Sequence, residues 1–360
     1  VTHRITLIPG DGIGQEVTDA ARLAVAAAGV AVDWDVQPAG AGVVADEGTP
    51  LPDRVLASIR ANRVALKGPL TTPVGTGFRS ANVALRHDLD LFAAVRPVAS
   101  LPGITARFAG VDVVVIRENT EDLYAGIEFE KGSRGMALLC RELTRLTGID
   151  LPSDAGVTVK PISVSATRRI VRFAFDFARH HGRRLITAGH KANIMRYSDG
   201  LFLHTAKVVA ASVPDVAFEA VEIDELALRL VTEPEAFDVL LLPNLYGDIL
   251  SDLCAGLVGG LGVASGANLG WEYAVFEPVH GSAPDIAGRG VANPVATILS
   301  AATMLAHVSE LRASEAVRVG VRTVLASGRV RTPDLGGTAT TTHMASAIAD
   351  ATAAAVAALP

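Results

Sequence analysis

The stretch that decides the fold is residues 237–262, FDVLLLPNLYGDILSDLCAGLVGGLG. Residues 239–243 form a short apolar run without polar alternation, the pattern of a strand covered on both faces in a parallel sheet. Residues 244–247 interrupt that run. From Asp248 the period changes, because Ile249, Leu250, Leu253 and Leu257 recur at helical spacing until Gly259 and Gly260 end the helix. Asp248 and Asp252 are four residues apart, so the spacing predicts both carboxylates on one face of the helix's first turn, just past the carboxyl end of a strand. Open α/β sheets hold their ligands there.

Two readings of the acid pair are open. Asp248 can cap the helix while Asp252 is a solvated charge favoured by the helix dipole. Against that, the helix is apolar enough to be largely buried, and an unpaired buried carboxylate is costly. A third acid, Asp224, ends the apolar segment 216–223 and could face the same crevice. A few hard oxygen ligands of this kind suit Mg2+ or Mn2+ shared with a substrate better than zinc or a closed calcium cage.

Bulk properties narrow the classes. The 360 residues are 49% hydrophobic, enough for a large core in one or two domains. A net charge of -6 without a long basic run argues against nucleic acid as the main partner. Two cysteines, Cys140 and Cys254, are too few for a disulfide framework or a thiolate metal site. No apolar run reaches the roughly 18 residues of a membrane span. The chain opens with Val-Thr-His-Arg and passes directly into a strand, which makes the cytosol the default expectation.

In chain order, residues 5–8 read as a buried strand, and the glycine-rich turn PGDGIG leads into a helix over 15–28. Its spacing is not that of a dinucleotide fingerprint, so it is expected to be a tight turn. Strands over 32–37 and 64–66 flank a helix over 51–60. After a loop, helical spacing over 82–91 clusters Ser80, Asn82 and Arg86 at one helix start, and Arg96 follows. A strand over 111–116 delivers Arg117 at its carboxyl end, shortly before Tyr124. Three arginines at the ends of separate elements, beside a hydroxyl and an amide, suit a polycarboxylate, because guanidinium pairs with carboxylate bidentately. Residues 129–161 are the least patterned and read as an inserted arm. A strand over 185–188 ends at His190, Lys191, Ala192 and Asn193. Lys191 is either a solvated charge or, beside a divalent cation, a base of depressed pKa.

Taken together, these segments resemble the metal-dependent β-decarboxylating dehydrogenases of 2-hydroxy acids, which include isocitrate, homoisocitrate and 3-isopropylmalate dehydrogenases. The resemblance runs nearly end to end, through PGDGIG, KGPLTTPVG, SANVALR, RENTEDLYAG, HKANIM, NLYGDILSDL, GGLG and HGSAPDIAG. It is strongest toward the NAD-dependent isocitrate enzymes. The implied architecture is a two-lobed α/β fold distinct from the usual Rossmann arrangement. Residues 1–95 and 259–360 would form a large cofactor-binding lobe, and 96–258 a small lobe carrying a clasp over 129–163. Two copies would pair as a homodimer with shared active sites.

By the same likeness Ser80, Asn82, Arg86, Arg96, Arg117 and Asn193 would hold a hydroxy tricarboxylate. Tyr124, Lys191 and Asp224 would handle protons. Asp248 and Asp252 would bind Mg2+ or Mn2+ with Asp224 of the partner subunit. NAD contacts would come from Thr72, Asn82, Glu277, His280, Gly281, Ser282, Ala283, Asp285, Ile286 and Asn293. Asp285 favours NAD, because a carboxylate accepts from a free ribose 2'-hydroxyl and repels a 2'-phosphate. Polar Ser80 and Asn82 favour a third substrate carboxylate over an isopropyl group. Homoisocitrate, one methylene longer, stays as the alternative, supported by the segment TPDLGGTATT. A non-catalytic regulatory subunit would be expected to have lost proton-handling or metal-binding groups that this chain keeps.

Overall fold

The computed structural model describes residues 2–71 and 80–359. Its strands are β1 (His3–Ile8), β2 (Val32–Val36), β3 (Val64–Lys67), β4 (Ala93–Ala99), β5 (Asp112–Glu118), β6 (Glu128–Phe129), β7 (Val157–Thr158), β8 (Leu185–His190), β9 (Ala217–Glu222), β10 (Val239–Leu242), β11 (Ser265–Leu269) and β12 (Ala274–Pro278). Ten of them form one sheet in the order β2-β1-β3-β12-β11-β4-β5-β10-β8-β9, and β6 pairs with β7 in a separate ribbon. The four strands at each end are mutually parallel. Between them β12/β11, β11/β4 and β4/β5 are antiparallel. Three reversals make the two parallel blocks point opposite ways. This is an α/β fold, and it is not the single parallel sheet of a Rossmann domain.

The decisive strand behaves as its composition dictates. Val239 and Leu241 belong to an apolar cluster with Val114, Ile116 and the helix Val164–His180, while Leu240 and Leu242 belong to one with Val115, Leu250 and Cys254. Alternate side chains thus bury on opposite faces, and a buried Leu or Val contributes roughly 1.5–3 kcal/mol. In the other block β1, β3 and β12 pack beneath the helices Gly14–Ala27, Val295–His307, Leu311–Ser327 and Thr341–Ala358.

Several boundaries differ from the sequence expectation. The helix expected from Asp248 begins one turn earlier, at Asn244, and runs to Leu257. Gly247 lies inside this helix, and glycine is needed there because a Cβ would come within 2.5 Å of the Arg117 Cγ. A local breaker signal was therefore a packing requirement. Asp224, at the end of the apolar segment 216–223, lies in the first turn of the helix Ile223–Thr232, just past β9. The arm holds an unexpected helix, Arg134–Thr147, capped by Ser133, whose Oγ accepts from Met136 N at 3.1 Å. Of that helix only Met136 is buried, and Leu138 and Leu146 are exposed.

The turn after β1 is structural, as its spacing indicated. Asp11 accepts backbone N–H groups of Ala41, Gly42 and Thr71 at 3.0, 3.1 and 2.7 Å. Gly12, at φ 58°, sits where a Cβ would strike the Ser282 carbonyl. Among the described residues no helix is long and apolar enough to cross a membrane, and both cysteines are free thiols.

Candidate active site

The site forms where the two parallel blocks meet. Near the end of β5 stands Arg117, whose side chain is 0% exposed and whose guanidinium donates to Asn244 Oδ1 from Nε at 2.9 Å and from Nη2 at 2.7 Å. Its remaining nitrogen, Nη1, donates to Asp248 Oδ1. β4 supplies Arg96, which reaches Asp248 at 3.5 Å, Asp252 at 3.4 Å and the Ser251 hydroxyl. Asp248 and Asp252 therefore do share a helix face, and both meet the same arginine. Tyr124 donates its hydroxyl to Asp248 Oδ2 at 2.5 Å, and Arg117 stacks 4.8 Å from the Tyr124 ring centre. The turn before Tyr124 is shaped by Glu118, which accepts from the backbone of Thr120 and Glu121 at 2.8 and 2.9 Å.

Electrostatics follow from burial opposed by neighbours. Burial drives the Arg117 guanidinium down to about 10, with Arg86 and Arg96 adding to the effect. Asp248 feels burial pushing it up, but Arg117, the Tyr124 hydroxyl and Arg96 hold it below its ordinary value. Asp252 is raised by burial, with the Asp248 charge adding and Arg96 opposing. Tyr124 is raised by burial and by its bond to Asp248. Asp248 and Asp252 are two neighbouring carboxylates, and a cation beside them would offset the burial that pushes Asp252 up.

Ser80, Asn82, Arg86, Arg96, Tyr124 and Asp248 line one cavity of about 230 Å³, together with Lys67, Asn268, Glu277 and His280. Glu277 is the acid beneath it. Lys67 approaches it at 2.5 Å, Arg86 at 3.4 Å and Asn268 Nδ2 at 2.6 Å. Burial raises Glu277, but Lys67 and Arg86 overcome this and hold it at about 2. Arg86 Nε and Asn82 Oδ1 are buried with no hydrogen-bond partner. Such atoms are costly to leave bare and point to a polar ligand.

A second cavity of about 560 Å³ adjoins the first, sharing His280 and Gly281. It is walled by Ile13, Leu261, Ala283, Ile286, Asn293 and Asp334. His280 is lowered by burial, and its Nε2 is buried without a partner. Asn293 donates to Asp334 at 2.9 Å and accepts from Val295 N at 3.0 Å, which fixes its amide. Ser282 bonds the Thr71 hydroxyl at 2.6 Å and, through its carbonyl, Ile13 N at 2.9 Å. Asp285 is exposed on the same loop. A largely apolar slot with a few fixed polar groups suits a nucleotide. Thr72 lies outside the described residues.

Lys191, Asn193 and Asp224 form a cluster of their own with Glu222. Lys191 Nζ donates to Asp224 and, at 3.0 Å, to Glu222, and Asn193 donates to Glu222 at 2.9 Å. Asp224 and then Glu222 raise the Lys191 pKa, the opposite of the depression that a neighbouring cation would cause. Among the described residues no three of His, Cys, Asp and Glu gather as a metal-holding group. The chain by itself therefore does not bring Asp224 to Asp248 and Asp252.

Sequence reasoning passed over Lys67, Asn244, Asn268, Ser251 and Glu222. Lys67 had a signal, a lysine ending a fully apolar strand run. Asn244 was hidden by being read as a break.

Residues 4–349 match the family model of isocitrate/isopropylmalate dehydrogenase. A probable isocitrate dehydrogenase [NAD] subunit alpha, mitochondrial, of Caenorhabditis elegans is 45% identical over 94% of this chain and 89% of its own length. The isocitrate dehydrogenase [NAD] catalytic subunit 6, mitochondrial, of Arabidopsis thaliana is 44% identical over 96% and 88%. The crystal structure of isocitrate dehydrogenase from Methylococcus capsulatus superposes with a TM-score of 0.89 at 47% identity, covering 97% of this chain and 99% of that one. The cytosolic expectation is corrected here, because the worm and plant relatives are mitochondrial. It drew on the chain's first residues, and an α/β body folds in either compartment. By the extent of these matches and the shared fold, the chain belongs to the isocitrate/isopropylmalate dehydrogenase family.

Proposed function

We propose that this chain oxidises and decarboxylates isocitrate to 2-oxoglutarate and CO2, with NAD and with Mg2+ or Mn2+. The observation that carries this is the 230 Å³ cavity, where Arg86, Arg96 and Lys67 gather and where Arg86 Nε and Asn82 Oδ1 are buried and unpartnered. A small molecule with several carboxylates is the ligand that such a surface selects.

Asp248 and Asp252 would hold the metal, joined by Asp224 of a second copy, and His280, Ile286 and Asn293 would border the nucleotide. When bound, the cation supplies acidification of the substrate hydroxyl and stabilisation of developing negative charge, and NAD accepts the hydride. Arg86 and Arg96 orient the carboxylates. Lys191 takes the hydroxyl proton, relayed through water or the Asp224 carboxylate. Covering that cluster against a second copy would desolvate the ammonium, which works against the raised value that Asp224 and Glu222 give it in one chain. Tyr124, kept protonated by burial and Asp248, donates a proton to the carbon from which CO2 has left. The same reading divides the chain into a large lobe, 1–95 with 259–360, and a small lobe, 96–258, and pairs two copies as a homodimer.

The test is NADH formation with Mg2+ or Mn2+ against isocitrate, homoisocitrate, 3-isopropylmalate, malate and tartrate, repeated with a chelator. Isocitrate is expected to give the highest kcat/KM, and the chelator to abolish turnover. Preference for homoisocitrate would move the substrate by one methylene. No turnover with any of the five would assign the chain a regulatory role.

A further inference from the structure

The segments that carry Tyr124, Asp248 and Lys191 meet at one side chain that the chemistry above does not use. Lys160 follows β7 at the base of the arm. Its ammonium donates to Asp199 Oδ1 at 2.6 Å and lies 3.8 Å from Asp122 Oδ1. It stands 4.5 Å from the centre of the Tyr246 ring. Asp122 and Asp199 are both 0% exposed, so each needs a counter-charge. Lys160 is the cation they share.

Each carboxylate gives its other oxygen to a backbone N–H that matters. Asp199 Oδ2 accepts from Lys191 N at 2.7 Å. Asp122 Oδ2 accepts from Leu245 N at 2.9 Å, in the first turn of the helix that carries Asp248. Asp122 also stands two residues before Tyr124, and its own N–H donates to the carbonyl of Pro161, next to Lys160. It holds φ at 69°, a left-handed conformation that a non-glycine residue keeps where surrounding contacts dictate it.

We propose that Lys160 is a positioning residue whose ammonium clamps Asp122 and Asp199, and so locks the Tyr124 turn, the Asp248 helix and the Lys191 turn in one arrangement. This rests on the proposed roles of Tyr124 and Lys191. Through the clamp, the arm is coupled to both proton-handling groups, although it contacts neither reacting centre itself. A displacement of about 1 Å at such groups can cost about a hundredfold in rate.

The test is a double-mutant cycle on kcat. Lys160→Met preserves the apolar stem against Tyr246 and removes only the charge. It is expected to lower kcat by about 100-fold, with KM changed by no more than about threefold. Added to Tyr124→Phe or to Lys191→Ala, it is expected to cost no more than about threefold further, because those variants have already lost what the clamp positions. In the ligand-free protein, amide hydrogen exchange at residues 122, 191 and 245 is expected to rise together. The same fold-loss in all three backgrounds, or unchanged kcat in folded Lys160→Met, overturns the proposal. Should Lys160→Met not fold, Lys160→Arg, which keeps the charge on a different head group, is judged by the same cycle. Normal kcat in Tyr124→Phe and Lys191→Ala alone would remove the catalytic reading instead, and the exchange pattern then decides the clamp by itself.

Discussion

Two clusters in this molecule are built from the same kinds of group and behave as opposites. Around Glu277 stand a lysine, an arginine and an asparagine, all enclosed, and the acid is held at about 2. Around Lys191 stand an aspartate, a glutamate and an asparagine, but the Asp224 side chain is 68% exposed. The composition is similar, and burial makes the difference. The first cluster is finished by the chain's own core, apart from the bare Arg86 Nε. The second is solvated, so its charges satisfy each other and are free to be re-paired when another surface covers them.

The largest effect expected from this contrast is complementation between copies. Lys191→Ala and Tyr124→Phe should each lower kcat by about 100- to 10,000-fold, the usual range for removing a proton-transfer group. If Lys191 serves the cavity of a second copy, hybrids of the two variants contain one intact site. Co-expressing them should then restore roughly a quarter of normal activity by random pairing in a two-fold dimer. Activity no higher than that of the separate variants would show that the Lys191 cluster serves its own chain, and the contrast between finished and unfinished sites would lose its functional meaning.

The enclosed cluster predicts a stability effect instead. Glu277 falls from 4.5 unfolded to about 2 folded. A depressed acid contributes stability that is complete above its unfolded pKa and is lost as the pH falls through the folded value. A shift of this size corresponds to about 3 kcal/mol. Glu277→Gln also strands Lys67 and Arg86 without their acid, so urea unfolding at pH 7 should show a loss of about that size. The gap between variant and native protein should then close as the pH falls from 4.5 toward 2. A gap that stays constant across that window would mean that Glu277 acts through shape and not charge.

The same difference explains what could be read from the sequence. The apolar run at 239–242 announced a strand buried on both faces, and it is one, because nothing but burial explains four such residues in a row. The sharing of a helix face by Asp248 and Asp252 followed from their spacing alone. β4 and β11 were not read as strands. They are the antiparallel centre of the sheet, and their polar residues, Arg96 and Asn268, face the cavity and break the apolar signal. Gly247 misled for a related reason, since the constraint on it comes from Arg117, 130 positions away in the chain. The arm's helix is different: its own sequence is strongly amphipathic, and only the mixed charge and glycines around it mask a stripe whose leucines stay exposed in the single chain. At Gly247, Arg96 and Asn268, contacts between distant residues set the feature, and local pattern does not carry it.

The smallest expected effect lies at the rim of the nucleotide slot, where the contrast can be sharpened. Ile286 borders the 560 Å³ cavity, whereas Asp285 beside it is exposed. An exposed carboxylate is screened by solvent, so its repulsion of a 2'-phosphate is modest compared with that of an enclosed acid such as Glu277. Asp285→Lys combined with Ile286→Tyr should therefore shift the ratio of kcat/KM for NADP over NAD by about tenfold, equivalent to about 1.4 kcal/mol. The shift should shrink as salt is raised, because the charge that produces it stands in water. A shift that is large and independent of salt would place the discriminating contact inside the slot, at the buried groups around Asn293 and Asp334, and would make cofactor choice a property of the enclosed half of the molecule.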